Sequence, residues 1–394
     1  GRGLPTTRTV TVNYSPGTTA TPNTGYFGGG KAPSTIATVD RVDYSNDTAA
    51  VVTKGPLSLA RDRTGATSSG THGYFAGGQT ITPSPSSTIV DRIDYLNDTA
   101  TAVVKGPLST SRSTVASVGN ASFGYIAGGG SVDAPYIFSS MERIDYSNDG
   151  VTASIKGQMS ANRTSHAATG NQNFGYIGGG SPSSASKVDR MDYASDTATA
   201  LVKGDLTVNR QYNLVAAGNA SFGYFGGGPS LSSVDRVDYS NDTATALAKG
   251  PFSVNRYGAG GTGDTNFGYF GGGSPGPLSS IDRIDYSNDT ATASPKGPLS
   301  AARHYLSATG ARENGFVPIG PALVENTVTQ VYPITVFGYF RTNSSNVNRV
   351  NFANDIEGGV HLPNTLAPGT GSKSMAYSSS THAYFSRDDT QRID

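Results

Sequence analysis

Phe267-Gly-Tyr-Phe-Gly-Gly-Gly273, followed after six residues by Ser280-Ile-Asp-Arg-Ile-Asp-Tyr286 and then Ser287-Asn-Asp-Thr290, is one copy of a motif pair that recurs along the 394-residue chain. The first motif returns as Gly25-Tyr-Phe27, Gly73-Tyr-Phe75, Gly124-Tyr-Ile126, Gly175-Tyr-Ile177 and Gly223-Tyr-Phe225. The second ends at Tyr44, Tyr95, Tyr146, Tyr193, Tyr239 and Tyr286, at intervals of 51, 51, 47, 46 and 47 residues. A period of this length marks a repeat architecture, and short Gly-rich segments are poor helices.

Each unit reads as four short strands. In the copy from Gly250 to Lys296, a small-residue stretch follows Arg256 and ends near Gly263. The Phe267 run stops at glycines, the Ser280–Tyr286 run alternates with period two, and Ser-Asn-Asp-Thr offers Asx-type turn chemistry before Ala291-Thr-Ala-Ser294. An antiparallel meander of this kind is one blade of a β-propeller. No helix is predicted anywhere. Inner strands, converging on an axis, need small residues, whereas outer strands can carry large Tyr and Ile between neighbouring sheets.

These residues resemble kelch repeats. Gly226-Gly227 match that family's glycine pair, Val234-Asp-Arg-Val-Asp238 its next strand, and Lys249-Gly-Pro-Phe252 leading to Arg256 its Pro-containing link. The resemblance spans about residues 20–310. Ala49, Ala100, Ala244 and Ala291 stand where the family carries Trp, and the chain has no Trp. The repeat text Asp-Tyr-Ser-Asn-Asp-Thr-Ala-Thr is also similar to arrays in proteins of marine phages, especially those infecting cyanobacteria. That similarity implies a place on a virion.

The fold class expected is all-β: a single propeller over 1–394 with eight four-stranded blades, seven or nine being the alternatives. The blades fall at about 1–54, 55–105, 106–156, 157–203, 204–249, 250–296, 297–341 and 342–394. On this count Arg8–Tyr14 opens the first blade. Gly315-Phe-Val317 and Val328–Tyr332 are eroded motifs of a seventh blade, with Val336–Phe340 as its fourth strand. Asn346–Phe352, Ser374–Tyr377, Ala383–Phe385 and Gln391–Asp394 make an eighth. Alternatively, the N-terminal strand completes the last blade and locks the ring.

Composition narrows the function. Lys plus Arg and Asp plus Glu both number 29, with no basic or acidic block, so neither nucleic acid nor an anionic membrane is an expected partner. No apolar run is long enough to span a bilayer. The chain begins at Gly1, as expected after processing or for a piece of something longer. Cysteine is absent, which excludes disulfides, thiolate metal sites and Cys nucleophiles, and with them the Cys–Tyr cofactor of kelch-type copper radical oxidases.

The remaining candidates read mostly as structure. Turn residues such as Asp43, Asn46, Asp47, Asp94, Asn97 and Asp98 fit capping better than Ca²⁺ binding, because their spacing matches no Ca²⁺ loop. Two arginine series, Arg61, Arg112, Arg163, Arg210, Arg256 and Arg303, and Arg41, Arg92, Arg143, Arg190, Arg236 and Arg283, suit strand-boundary bonds better than an anion-binding ring. His72, His166, His304, His361 and His382 share no ligand spacing. No catalytic, cofactor or metal residue is named.

The link between the glycine run and the Asp-Arg strand varies in length, as surface binding loops do. Its most aromatic form is Asp133-Ala-Pro-Tyr-Ile-Phe138. Tyr136, Ile137 and Phe138 are therefore the candidate contact loop, with Tyr136 and Phe138 expected on the surface. The function expected is a non-catalytic binding or assembly module on a phage particle (tail, fibre or capsid surface), touching host glycan or neighbouring virion proteins. A secreted or cell-surface lectin-like propeller is the alternative, and a glycan-active enzyme ranks third.

Overall fold

Ile281-Asp-Arg-Ile-Asp285 forms a strand buried on both faces, and that requirement organises the molecule. Ile281 packs with Phe27, Leu299 and Leu306, whereas Ile284 packs with Tyr224, Val234 and Phe270. A sheet whose two faces are both apolar needs a neighbour on each side, and repetition around an axis supplies both.

The computed structural model describes residues 22–80, 86–131, 136–182 and 185–311, and six further strands between 337 and 393. By internal contacts the chain divides into two compact units, Thr18–Gly320 and Gly1–Gly17 with Pro321–Asp394.

The larger unit is a β-propeller of six four-stranded antiparallel blades. Blades two to six each take their four strands in chain order. Blade two is Gly65–Ser68, His72–Ala76, Val90–Asp94 and Val103–Val104. Blade six is Gly260–Gly263, Phe267–Gly271, Ile281–Asp285 and Ser294–Lys296. Blade one joins the two ends of the ring: Ser307–Gly310 pairs with Thr24–Gly28, and Val39–Asp43 and Val52–Lys54 follow. The first strand of every blade lies beside its counterparts in both neighbours, and this succession closes on itself around the axis.

The count of eight, with its alternatives of seven and nine, is therefore corrected to six. Ser307–Gly310 occupies the inner position assigned to Arg8–Tyr14, which itself lies outside the described residues, as do the eroded motifs at 315–317 and 328–332. Phe337–Arg341, Val347–Asn351 and Val360–Leu362 form one three-stranded sheet, and Met375–Ser378, Ala383–Ser386 and Thr390–Ile393 another. Both belong to the smaller unit and neither is a blade of the ring.

Antiparallel order gives the ring two distinct faces. The inner strand leaves one face, and the second strand returns to it. That face holds the entry to each inner strand and the variable loops, such as 227–233 and 272–280. The other holds the tight inner hairpins and the turns that begin at the tyrosine after the third strand. These are a single 3-10 turn in five blades (Tyr44–Asn46, Tyr146–Asn148, Tyr193–Ser195, Tyr239–Asn241 and Tyr286–Asn288) and a plain turn at 95–97 in blade two.

Inner strands are small throughout, as in Ala167-Ala-Thr-Gly170 and Gly260-Gly-Thr-Gly263. The glycine pairs ending the second strand have a geometric cause. Gly272 and Gly273 sit at φ 71 and 107, and a Cβ on Gly272 would lie 2.7 Å from the Arg303 carbonyl oxygen.

Candidate functional site

The repeated polar residues hold blades together. Arg256 is fully buried; its Nη1 donates to the carbonyls of Phe270 (2.9 Å) and Gly272 (3.1 Å), and its Nη2 pairs with Asp282 at 3.0 Å. Burial pulls its pKa down, and Asp282 opposes that shift. Arg61, Arg112, Arg163, Arg210 and Arg303 repeat the arrangement, Glu142 replacing Asp beside Arg112.

Members of the second series reach across to the next blade. Asp98 accepts from Tyr26 Oη (3.0 Å), Arg41 (2.8 Å) and Lys54 (3.1 Å) of the preceding blade. At the ring closure Asp47 takes Tyr269 (2.9 Å), Arg283 (2.7 Å) and Lys296 (3.3 Å). Over each clamp a tyrosine of the first motif stacks on one of the next blade's second motif, from 4.4 Å between centroids for Tyr176–Tyr239 to 5.2 Å for Tyr125–Tyr193. Asp43 caps its turn by accepting from Ser45 N at 2.9 Å. Among the described residues no group of three or more His, Cys, Asp or Glu could hold a metal.

What the repeat does not explain lies at the axis. An axial cavity of about 100 Å³ takes four consecutive residues from each blade: 63–66, 114–117, 165–168, 213–216, 258–261 and 305–308. Its mouth is ringed by Arg63, Thr114, Ser165, Asn213, Gly258 and Tyr305, one per blade, all with φ between 45° and 65°. Backbone bonds run round this ring: Arg63 N to Tyr305 O (2.8 Å), Thr114 N to Arg63 O (3.0 Å), Ser165 N to Thr114 O (3.0 Å), Gly258 N to Asn213 O (2.7 Å) and Tyr305 N to Gly258 O (2.6 Å). Between Ser165 and Asn213 no such bond forms, because blade five carries one extra residue after its buried arginine: Arg210 to Asn213 spans three positions where Arg163 to Ser165 spans two.

Five of these six residues are not glycine, and two of them, β-branched Thr114 and aromatic Tyr305, are poorly suited to left-handed backbone. Such conformations cost of order 1–3 kcal/mol each and cluster at functional sites. The side chains also differ blade by blade, whereas the interblade clamps hardly change. Position-specific chemistry is thus retained at strained positions where glycine would fit more easily.

One sector of the mouth is charged. Arg63 Nη1 donates to Asp62 Oδ1 (2.9 Å) and Gln79 Oε1 (2.7 Å), and its guanidinium lies 3.9 Å over the Tyr305 ring. His304 sits against the other side of this sector, 4.5 Å from Tyr305, and its backbone pairs with that of Lys31. Burial raises the pKa of Asp62, against the pull of Arg63 and Lys31; burial lowers that of His304, with Lys31 and Arg63 adding to it. His166, deeper in the cavity wall, is pushed down to about 3 by burial and then by Arg163, so it is neutral.

The candidate loop divides. Tyr136 is 67% exposed, Ile137 is half-buried and bridges to Gly130, and Phe138 is 8% exposed beneath the Arg112 guanidinium at 4.7 Å. The expectation that Phe138 lies on the surface is corrected: its ring covers the buried Arg112. Tyr136 remains on the mouth face. The mouth residues escaped the sequence reading because the left-handed backbone has no local signature when the residue is not Gly. Their only textual trace is variation two or three positions after an invariant Arg.

A solved structure titled "Structure of YjhT" matches with a TM-score of 0.52 at 10% identity, over 64% of this chain and 88% of that one. At this identity the likeness shows the propeller fold alone. No family model and no curated protein matches the sequence.

Proposed function

We propose that this chain is a non-catalytic binding or assembly module that works through the mouth face of its ring, carried on a phage particle and contacting host glycan or neighbouring virion proteins. The observation that carries the reading is where the blades differ. Their interfaces repeat the same Arg–Asp and Tyr–Tyr contacts, and their differences gather in the variable loops and the strained mouth ring of one face. A rigid scaffold with one variable face is the arrangement that binding proteins of many folds use. The glycine pair and the Val-Asp-Arg-Val-Asp strand support the kelch-like part of this reading, and the Asp-Tyr-Ser-Asn-Asp-Thr text supports the virion. Mass spectrometry of purified particles tests it: a fixed copy number per particle is expected, and absence from particles together with secretion in free form would overturn the virion assignment.

A further inference from the structure

We propose that the mouth of the axial cavity binds one acidic sugar residue, its carboxylate or sulfate ester held by Arg63 and drawn in by Lys31. The inference rests on the glycan-contact reading above and names the site and the ligand class within it.

Arg63 is placed for such a contact. It lines the cavity, and only its Nη1 is used within the ring, on Asp62 and Gln79. Among the described residues its Nη2 and Nε carry no hydrogen bond, and the side chain keeps 24% of its exposure. The Asp62 contact and the Tyr305 face fix the guanidinium plane, so the remaining edge is preorganised for two oxygens of one anion. Asp62 offsets one positive charge, and Lys31 beside it restores an excess, with His304 uncharged near neutrality.

The rest of the mouth suits a polyhydroxylated ring rather than a bare anion. The Asn213 amide makes no bond among the described residues, and Ser165 Oγ and Thr114 Oγ1 are each within reach of only one local partner. Tyr212, the extra residue of blade five, is 52% exposed and offers an aromatic face. Blade six contributes Gly258, the one mouth residue with no side chain, and the Tyr305 ring lies directly against it: a Cβ there would sit 2.7 Å from Tyr305 Cδ1. Because these residues break the sixfold repeat, a single ligand in a single orientation is expected.

The test is titration of the whole chain with methyl glucuronide, glucose 6-sulfate, methyl glucoside and inorganic phosphate, followed by calorimetry or NMR. Binding of the glucuronide or the sulfate at one per chain, with the glucoside at least about tenfold weaker, is expected, and which acid binds tighter identifies the acidic group. Arg63→Lys, which keeps the charge but loses the fork, should weaken binding by about tenfold, and Thr114→Gly should weaken it while raising the thermal midpoint by relieving the left-handed strain. Equal binding of glucoside and glucuronide overturns the acidic anchor and leaves glycan contact intact. Phosphate binding as tightly as either acidic sugar overturns the sugar assignment. No binding of any probe by a chain that still adsorbs to host cells overturns the mouth site while sparing the broader reading.

Discussion

Replacing Asp47 by Asn asks whether the ring closes where the structure closes it. Asp47 belongs to blade one and receives three groups of blade six: Tyr269 Oη, Arg283 and Lys296. Its side chain is 8% exposed, against 25% for Arg283 and 11% for Lys296. Breaking a fully buried ion pair costs about 3–5 kcal/mol and a surface pair up to about 1. Asn preserves shape and one acceptor but faces two cations, so a loss of about 2–3 kcal/mol is expected between those limits. Asp196→Asn removes the same contacts between blades three and four, from Tyr125, Arg143 and Lys156. A closed ring makes the two sites equivalent, so the losses should agree within about 0.5 kcal/mol. Urea denaturation followed by tyrosine fluorescence, in a chain with 21 Tyr and no Trp, measures both. A cost near zero for Asp47→Asn beside a full cost for Asp196→Asn would refute a six-bladed closure.

Further expectations concern packing, acid and the loop. Ile284→Ala removes a side chain that is 3% exposed between blades five and six and should cost about 2–5 kcal/mol, read from the same denaturation curves. Burial pushes the Asp149 and Asp289 carboxyls up, but Lys, Tyr and Arg partners outweigh it and hold both below the usual range. Their folded pKa values are depressed, so their contribution is complete above the unfolded value of about 3.9 and is lost as pH falls through the folded values; thermal midpoints should be level from pH 7 to 5 and drop below about 4. Tyr136→Ser should leave stability within about 0.5 kcal/mol, whereas Phe138→Ser should cost about 3 kcal/mol by uncovering Arg112. Equal effects from the two would mean that the loop's inner end is misplaced.

The blade was legible because its strands carry large residues in fixed register: Tyr269 faces Arg283 across the hairpin as Tyr176 faces Arg190. Ile93, Ile144, Val237 and Ile284, expected between blades, are all buried at 4% or less. The blade count was not legible. The closing strand Ser307-Ala-Thr-Gly310 is short and bland, and its Arg303 announces an inner strand without saying which blade receives it. Beyond the ring, Phe337-Gly-Tyr-Phe-Arg341 and Val347-Asn-Arg-Val-Asn351 keep the motif and the register, Tyr339 facing Arg349, so text alone extended the array past its closure. The turn aspartates read as local caps; Asp43 is one, but Asp47 and Asp98 act across a blade boundary, which no local pattern discloses.

Recognition through the mouth face is tested most directly by blocking one face at a time, which a cysteine-free chain permits. Single cysteines at Tyr212, 52% exposed beside the mouth, and at Leu96, 64% exposed in a turn of the opposite face, can each carry a bulky maleimide adduct. Adsorption of the labelled chain to host cells and its incorporation into particles are then measured against the unlabelled variants. Loss of either activity with the label at position 212 and retention of both with the label at 96 is the result predicted; retention at 212 with loss at 96 would contradict it.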